Sequence, residues 1–324
     1  MSQKKEWAFP AQLQPRSDDF DFDLDRVFDS LVLLRAEIPD DAFTAGNLGT
    51  ERIGNGIVIG EDGLILTIGY LVTEASAIWL TTNRGEVLPG YALASDHASG
   101  FGLVQPLGRL TAPALPRGVT AEAQVGDQVL VAGHGGRSHS IKTQIIARHE
   151  FAGAWEYLLE DAIFTTPAHP QWGGSALIGE DGKLLGVGSL LVQETVAEKE
   201  VQSNMFVPID LLEPILGDMT RMGRPSGPVR PWLGLYAAEV SGRLVVAGVA
   251  SGGPANKAAL KTGDVLLEVA GEEISGLADL FRKVWKQGSA GTKIPITIAR
   301  SGVPSQVSVR SGDRHDFLKK PHLH

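Results

Sequence analysis

The chain has 324 residues, 43% of them hydrophobic and 21% charged, with a formal net charge of −9 and no cysteine. Those values suit two or three soluble globular units with real cores. They disfavour a nucleic-acid partner, and they exclude a disulfide framework, a thiolate metal site and a cysteine nucleophile. No apolar run reaches membrane-spanning length and the amino terminus lacks a secretory apolar core, so the expectation is a cytoplasmic protein without membrane or cofactor.

Residues 1–24 read as a polar, aromatic-spotted arm carrying Trp7, Phe9, Phe20 and Phe22. From 23 to 39, "DLDRVFDSLVLLRAEIP" suggests a helix capped by Asp23 and ended by Pro39, with Val27, Phe28, Leu31, Leu33 and Leu34 on one side. Beyond residue 50 the texture changes to short apolar runs separated by turn signals. Asp62-Gly63 and Asp181-Gly182 sit between apolar runs where two-residue hairpin turns belong. Many short strands without interleaved helices point to an antiparallel barrel or sandwich. "DLLEPILGDMTRM" (210–222) reads as a closing helix, and "GRPSGPVRP" (223–231) as a linker.

Residues 232–311 alternate strand, strand, short helix, strand, helix, strand, strand, a small α+β unit. "PWLGLY", "VASGGPANKAALKTGDVLLEVAGEEI" and "KIPITIARSGVPSQVSV" resemble a PDZ domain of the bacterial protease type. The resemblance implies a groove for peptide or protein carboxyl termini. Backbone N–H groups of Trp232, Leu233, Gly234 and Leu235 would receive the carboxylate, and Leu277 and Phe281 would stand on the opposite helical wall. By helical spacing alone Phe281 and Val284 read as core. The tail 312–324 reads as loosely packed.

The preceding unit, residues 25–222, resembles the trypsin-like double β-barrel of the HtrA family. "GNGIVIGEDGLILTIGYLV" (54–72), "ALASDHASGFGLVQP" (92–106) and "AHPQWGGSALIGEDGKLLGV" (168–187) match the three catalytic segments in order. Mainly β structure, a double barrel followed by a PDZ domain, is the implied fold. Carried over residue by residue, the catalytic His position falls on Tyr70, the Asp position on Gly100 and the Ser position on Gly173. A phenol is a poor base at neutral pH and glycine supplies no functional group. The reading is therefore a pseudoprotease that binds peptides. One alternative is a serine endopeptidase whose nucleophile has moved to Ser175, with His169 as base; the other is a barrel that binds a small ligand in the vacated cleft. Against the moved pair, Ser175 is expected to bond locally in its turn and His169 to be an exposed loop residue.

Further features read plainly. His97, beside the Asp position, is another candidate base that reads more simply as a solvated loop histidine, and His134 and His139 lie in a glycine-rich surface loop with no third metal ligand in view. Asp161 precedes a strand. Trp172 either packs into space the triad would occupy or touches a ligand. The aromatic arm resembles those that build trimers in related proteases, giving a homo-oligomer as one expectation and docking onto its own barrel as the other.

Overall fold

In the computed structural model, which describes residues 7–319, the chain divides into two units. The first holds residues up to 149 together with 161–226 and the end of the chain; the second joins 150–160 to 227–318.

Two closed barrels make up the first unit. Strands β1 (Leu31–Glu37), β2 (Glu51–Val58), β3 (Ile65–Ile68), β4 (Ala77–Thr82), β5 (Val87–Ser95) and β6 (Phe101–Pro106) close in the order β1-β2-β3-β6-β5-β4. The second barrel runs β10-β11-β12-β9-β8-β7, from β7 (Gln128–Ala132), β8 (Ser140–Gly153), β9 (Tyr157–Thr166), β10 (Ala176–Ile178), β11 (Leu184–Val196) and β12 (Lys199–Pro208). Closure leaves each sheet without a raw edge, and the interiors fill with branched and aromatic side chains such as Leu66, Ile57 and Leu103 in one barrel and Val131, Ile163 and Phe206 in the other. Both Asp-Gly sites do lie in hairpin turns, but not as the expected two-residue turns: Gly63 N donates to Gly60 O and Gly182 N to Gly179 O, so each bend centres on Glu-Asp with the glycine following it. The Asp62 and Asp181 carboxylates accept from Leu64 N and Lys183 N at 3.1 Å, while Gly63 and Gly182 take φ of 82° and 76°.

The expected helix over 23–39 is only half right. Helix α1 covers Leu24–Asp29, with the Asp23 side chain accepting from Asp25 N and Arg26 N, and then stops. From Leu31 the chain is β1, paired with β2 on one side and β4 on the other. Alternation decides the matter: Leu34 and Ala36 are sealed while Arg35 and Glu37 face outward, a period of two that a cluster of leucines had masked as helical. After a short helix α2 (Ala45–Leu48) and the barrels, α3 (Glu213–Met222) closes the unit and ends at Gly223 in the left-handed region.

From residue 7 onward the arm lies on its own barrel; its first six residues lie outside the described ones. Phe9 N donates to Ser138 O at 2.9 Å, the Phe9 ring joins the core of the second barrel, and Trp7 meets the His139 ring edge-on at 4.6 Å.

The second unit is a six-stranded sheet ordered β13-β14-β15-β17-β18, from β13 (Leu235–Val240), β14 (Arg243–Val249), β15 (Val265–Val269), β17 (Lys293–Arg300) and β18 (Val303–Arg310), with β16 (Glu272–Glu273) paired to β15. Helices α4 (Pro254–Lys257) and α5 (Leu277–Lys286) complete it. Its core takes in Leu233, Leu235, Val246, Leu266, Phe281, Ile296 and, from the middle of the chain, Leu158. Residues 312–318 are not loose: Arg314–Phe317 form a helical turn, and the Phe317 ring packs on Trp232 with centroids 4.7 Å apart. The last residues of the expected tail, 320–324, lie outside the described residues.

Candidate functional site

Tyr70 sits on a one-turn helix, Gly69–Leu71, that leaves β3. The turn is pinned on two sides. Gly69 N donates to Gly100 O at 2.6 Å, and the buried Arg52 guanidinium donates to Tyr70 O at 2.6 Å and Thr73 O at 3.0 Å. A side chain at Gly69 would come within 3.1 Å of the carbonyls of Gly100 and Phe101, so only glycine lets this turn approach β6 so closely. Gly100 itself has φ 88° and ends the loop begun by Asp96, whose carboxylate accepts from Ala98 N and Ser99 N.

The turn at 171–175 comes up against the same place. Asn55 is the residue that holds it: its backbone N donates to Gly173 O at 2.8 Å, and its side-chain amide donates to Gln171 O at 3.0 Å and Gly173 O at 3.2 Å. The Asn55 side-chain oxygen accepts from His134 N at 2.8 Å. Gly174 has φ 72° and no room for a side chain, since one would meet Asn55 O at 2.0 Å. Gly174 N donates to Gly188 O, and Ser175 N to Trp172 O.

The three positions assigned to a triad thus come together, and what meets there is a phenol. The Tyr70 hydroxyl donates to Ser189 O at 2.9 Å. It lies 2.9 Å from where a Cβ on Gly173 would be. Burial drives the phenol's pKa above its usual value, which removes it further from service as a base at neutral pH. Trp172 is half-buried.

Ser175 and His169 are each engaged elsewhere. The Ser175 hydroxyl, fully buried, donates to Trp172 O at 2.8 Å, the local turn bond expected of it. His169 is not an exposed loop residue; it is sealed from solvent. Its Nδ1 accepts from Gln171 N at 3.0 Å, so Nε2 carries the proton and donates to His139 O at 2.7 Å. Trp7 and Phe9 cover the ring edge-on. Burial pushes the imidazole's pKa down to about 4. Both ring nitrogens are committed to backbone, and neither is directed at a hydroxyl.

His134 and His139 do not form the surface loop expected of them. Residues 136–139 make a helical turn, His139 is buried, and its Nδ1 donates to Gly135 O at 3.0 Å. Among the described residues no group of three His, Cys, Asp or Glu is arranged to hold a metal ion. Asp161 lies within β9, where its carboxylate pairs with Arg148.

In the second unit the loop before β13 does present its amides together. Leu233, Gly234 and Leu235 turn their N–H groups inward, Gly234 taking φ 72° so that the chain can double back. All three donate to one carboxylate, that of Glu156, which sequence pattern did not single out. Leu233 N lies 2.9 Å from its Oε2, and Gly234 N and Leu235 N lie 2.6 and 3.2 Å from its Oε1. Two of the other residues assigned to the groove, Trp232 and Phe281, are buried in the fold. Trp232 is buried against Phe317 and exchanges two backbone bonds with Gly312. Phe281 is a core residue, 2% exposed and stacked on Trp285, because α5 turns its apolar stripe onto the sheet. Leu277, at the start of α5, is partly buried against the same core.

Two family models match the chain: a trypsin-like peptidase domain over residues 54–187 and a PDZ domain over residues 231–310. Serine endoprotease DegS of Haemophilus influenzae is 25% identical over 268 residues, covering 81% of this chain and 77% of its own. A probable periplasmic serine endoprotease, DegP-like, of Halomonas elongata is 26% identical over 280 residues; the match takes in 82% of this chain but 58% of that protein. Among solved structures, the HtrA-type protease AlgW with tripeptide superposes with a TM-score of 0.54 at 20% identity, over 95% of this chain and 99% of that one. The serine endoprotease from Yersinia pestis gives 0.53 at 20% identity over 90% and 98%. With two barrels closed in the trypsin manner and a PDZ sheet after them, the chain carries a trypsin-like peptidase domain followed by a PDZ domain, and in that order it is similar to the HtrA/Deg family of serine endoproteases.

Proposed function

We propose that the chain is a proteolytically inactive member of this family that binds peptide or protein carboxyl termini through its PDZ domain. The observation that carries the first half is the phenol of Tyr70, bonded to Ser189 O and standing against Gly173 where a serine nucleophile and its base would be. Acyl transfer needs a proton acceptor near neutral pKa beside a nucleophilic hydroxyl; that trio of positions supplies no such acceptor, and its one hydroxyl is a buried phenol with a raised pKa. Loss of such a triad costs turnover by about a million-fold.

Support for the second half comes from the loop at 233–235, three convergent N–H groups ahead of the edge strand β13. Convergent amides receive a carboxylate without any side-chain cation, and an edge strand accepts a peptide as one more strand.

Serine endopeptidase activity is the reading that the relatives' names favour. It would need Ser175 and His169 to leave the backbone bonds that hold them. A fluorophosphonate probe followed by intact-mass measurement separates the two. No adduct and no casein turnover are expected. A stoichiometric adduct lost in Ser175→Ala would overturn the inactive reading.

A further inference from the structure

The carboxylate-receiving loop of the PDZ domain already holds a carboxylate, and it comes from the chain itself. Residues 150–160, the end of β8, the start of β9 and the turn between them, belong to the second unit. At its apex Glu156 takes φ 62°, in the left-handed region that non-glycine residues enter infrequently, and turns its side chain into the loop. Four N–H to oxygen contacts, all between 2.6 and 3.2 Å, join the carboxylate to Leu233, Gly234 and Leu235. The carboxylate is buried.

The rest of the turn follows the path of a ligand too. Ala237 N, on the edge strand β13, donates to Ala154 O at 3.2 Å, the kind of bond an added strand makes. Arg314 donates to Trp155 O at 3.2 Å, and its charge acts on Glu156. Leu158 continues from the apex into the core of the sheet, and Trp155 stacks on Tyr157 with centroids 5.8 Å apart. A carboxylate in the loop, a backbone bond to the edge strand and an apolar anchor are the three elements of carboxyl-terminal peptide recognition. Here one turn of the same chain provides all of them.

Resting on the peptide-binding reading above, we propose that the Ala154–Leu158 turn is an internal ligand of the PDZ groove. Glu156 stands in for a peptide's terminal carboxylate, so an outside carboxyl terminus binds only by displacing it. A tethered competitor acts at an effective concentration in the millimolar range, and the apparent affinity for an outside peptide falls by the fraction of molecules that are open.

The test uses the full chain as wild type, Glu156→Gln and Glu156→Ala, each first checked for native far-ultraviolet dichroism and melting. Two readouts are taken. One is amide hydrogen exchange at Leu233, Gly234 and Leu235. The other is fluorescence anisotropy with a dye-labelled pool of hexapeptides ending in a free Val, Leu, Ile, Phe or Ala, beside the amidated pool. The expected result is exchange faster by at least about tenfold in Glu156→Ala, and carboxylate-dependent binding tighter on the order of tenfold or more, with Glu156→Gln between wild type and Glu156→Ala. Unchanged exchange would remove the contact and with it the proposal. Faster exchange with equal peptide affinity in all three proteins would leave peptide binding in place and refute self-occupancy. Faster exchange with no carboxylate-dependent binding in any of them would refute the peptide reading itself, reducing Glu156 to a structural latch.

Discussion

His169 shows how one residue can look like chemistry and serve as architecture. Its imidazole accepts from Gln171 N and donates to His139 O, so a neutral ring with the proton on Nε2 is what the fold requires. Burial lowers its pKa to about 4, against about 6.5 in an unfolded chain. Between those values the unfolded chain binds a proton that the folded protein refuses, so stability falls as pH drops from about 6.5 toward 4. The loss amounts to about 3 kcal/mol at most. Urea midpoints at pH 7 and pH 4.5 should therefore converge in His169→Gln relative to wild type; an unchanged difference would assign the acid sensitivity to other groups. At Gly173 the expectation is steric. A Cβ would stand 2.9 Å from the Tyr70 hydroxyl, so Gly173→Ser should cost about 1–3 kcal/mol by thermal melting and restore no peptide hydrolysis.

At the scale of elements, β1 makes the sharpest contrast with what the residues suggested. Leu34 is fully buried between β2 and β4, whereas Arg35 is half-exposed and pairs with Glu51 across the strand. Leu34→Ala should lose about 2–5 kcal/mol and Arg35→Ala under about 1 kcal/mol, read from chemical denaturation. If the two cost the same, the alternation that defines the strand is not what stabilises it. The barrel segments and the PDZ strands were legible because hairpin turns with Asp-Gly and short apolar runs are local signals. So was the meeting of Tyr70, Gly100 and Gly173, since three ordered segments constrained it. The run 31–37 was misread because a leucine-rich stretch satisfies helical and strand spacing alike, and only pairing partners far along the chain choose between them. Asn55 and Glu156 were not legible at all. Each works through bonds to backbone more than 70 residues away, and no side-chain pattern near either records that partner.

For the molecule as a whole, the PDZ core depends on a residue contributed from outside its own segment. Leu158 is buried with Leu233, Leu235 and Val246 although its neighbours in sequence belong to β9. Leu158→Ala should lower the stability of the sheet by about 2–5 kcal/mol, with hydrogen exchange in β13 and β14 responding before that of β1 and β2. An effect confined to the barrel strands would contradict that assignment.

The discontinuity of the second unit also bears on how this architecture can be inherited. A gene fragment cut at residue 227 would carry the sheet and both its helices yet leave behind the glutamate seated in the loop and the leucine beneath it. Exchanging such modules between proteins, by recombination or by an engineer, would hand the recipient an unstoppered domain. Transplanting 150–160 along with it is the step that would carry the stopper across.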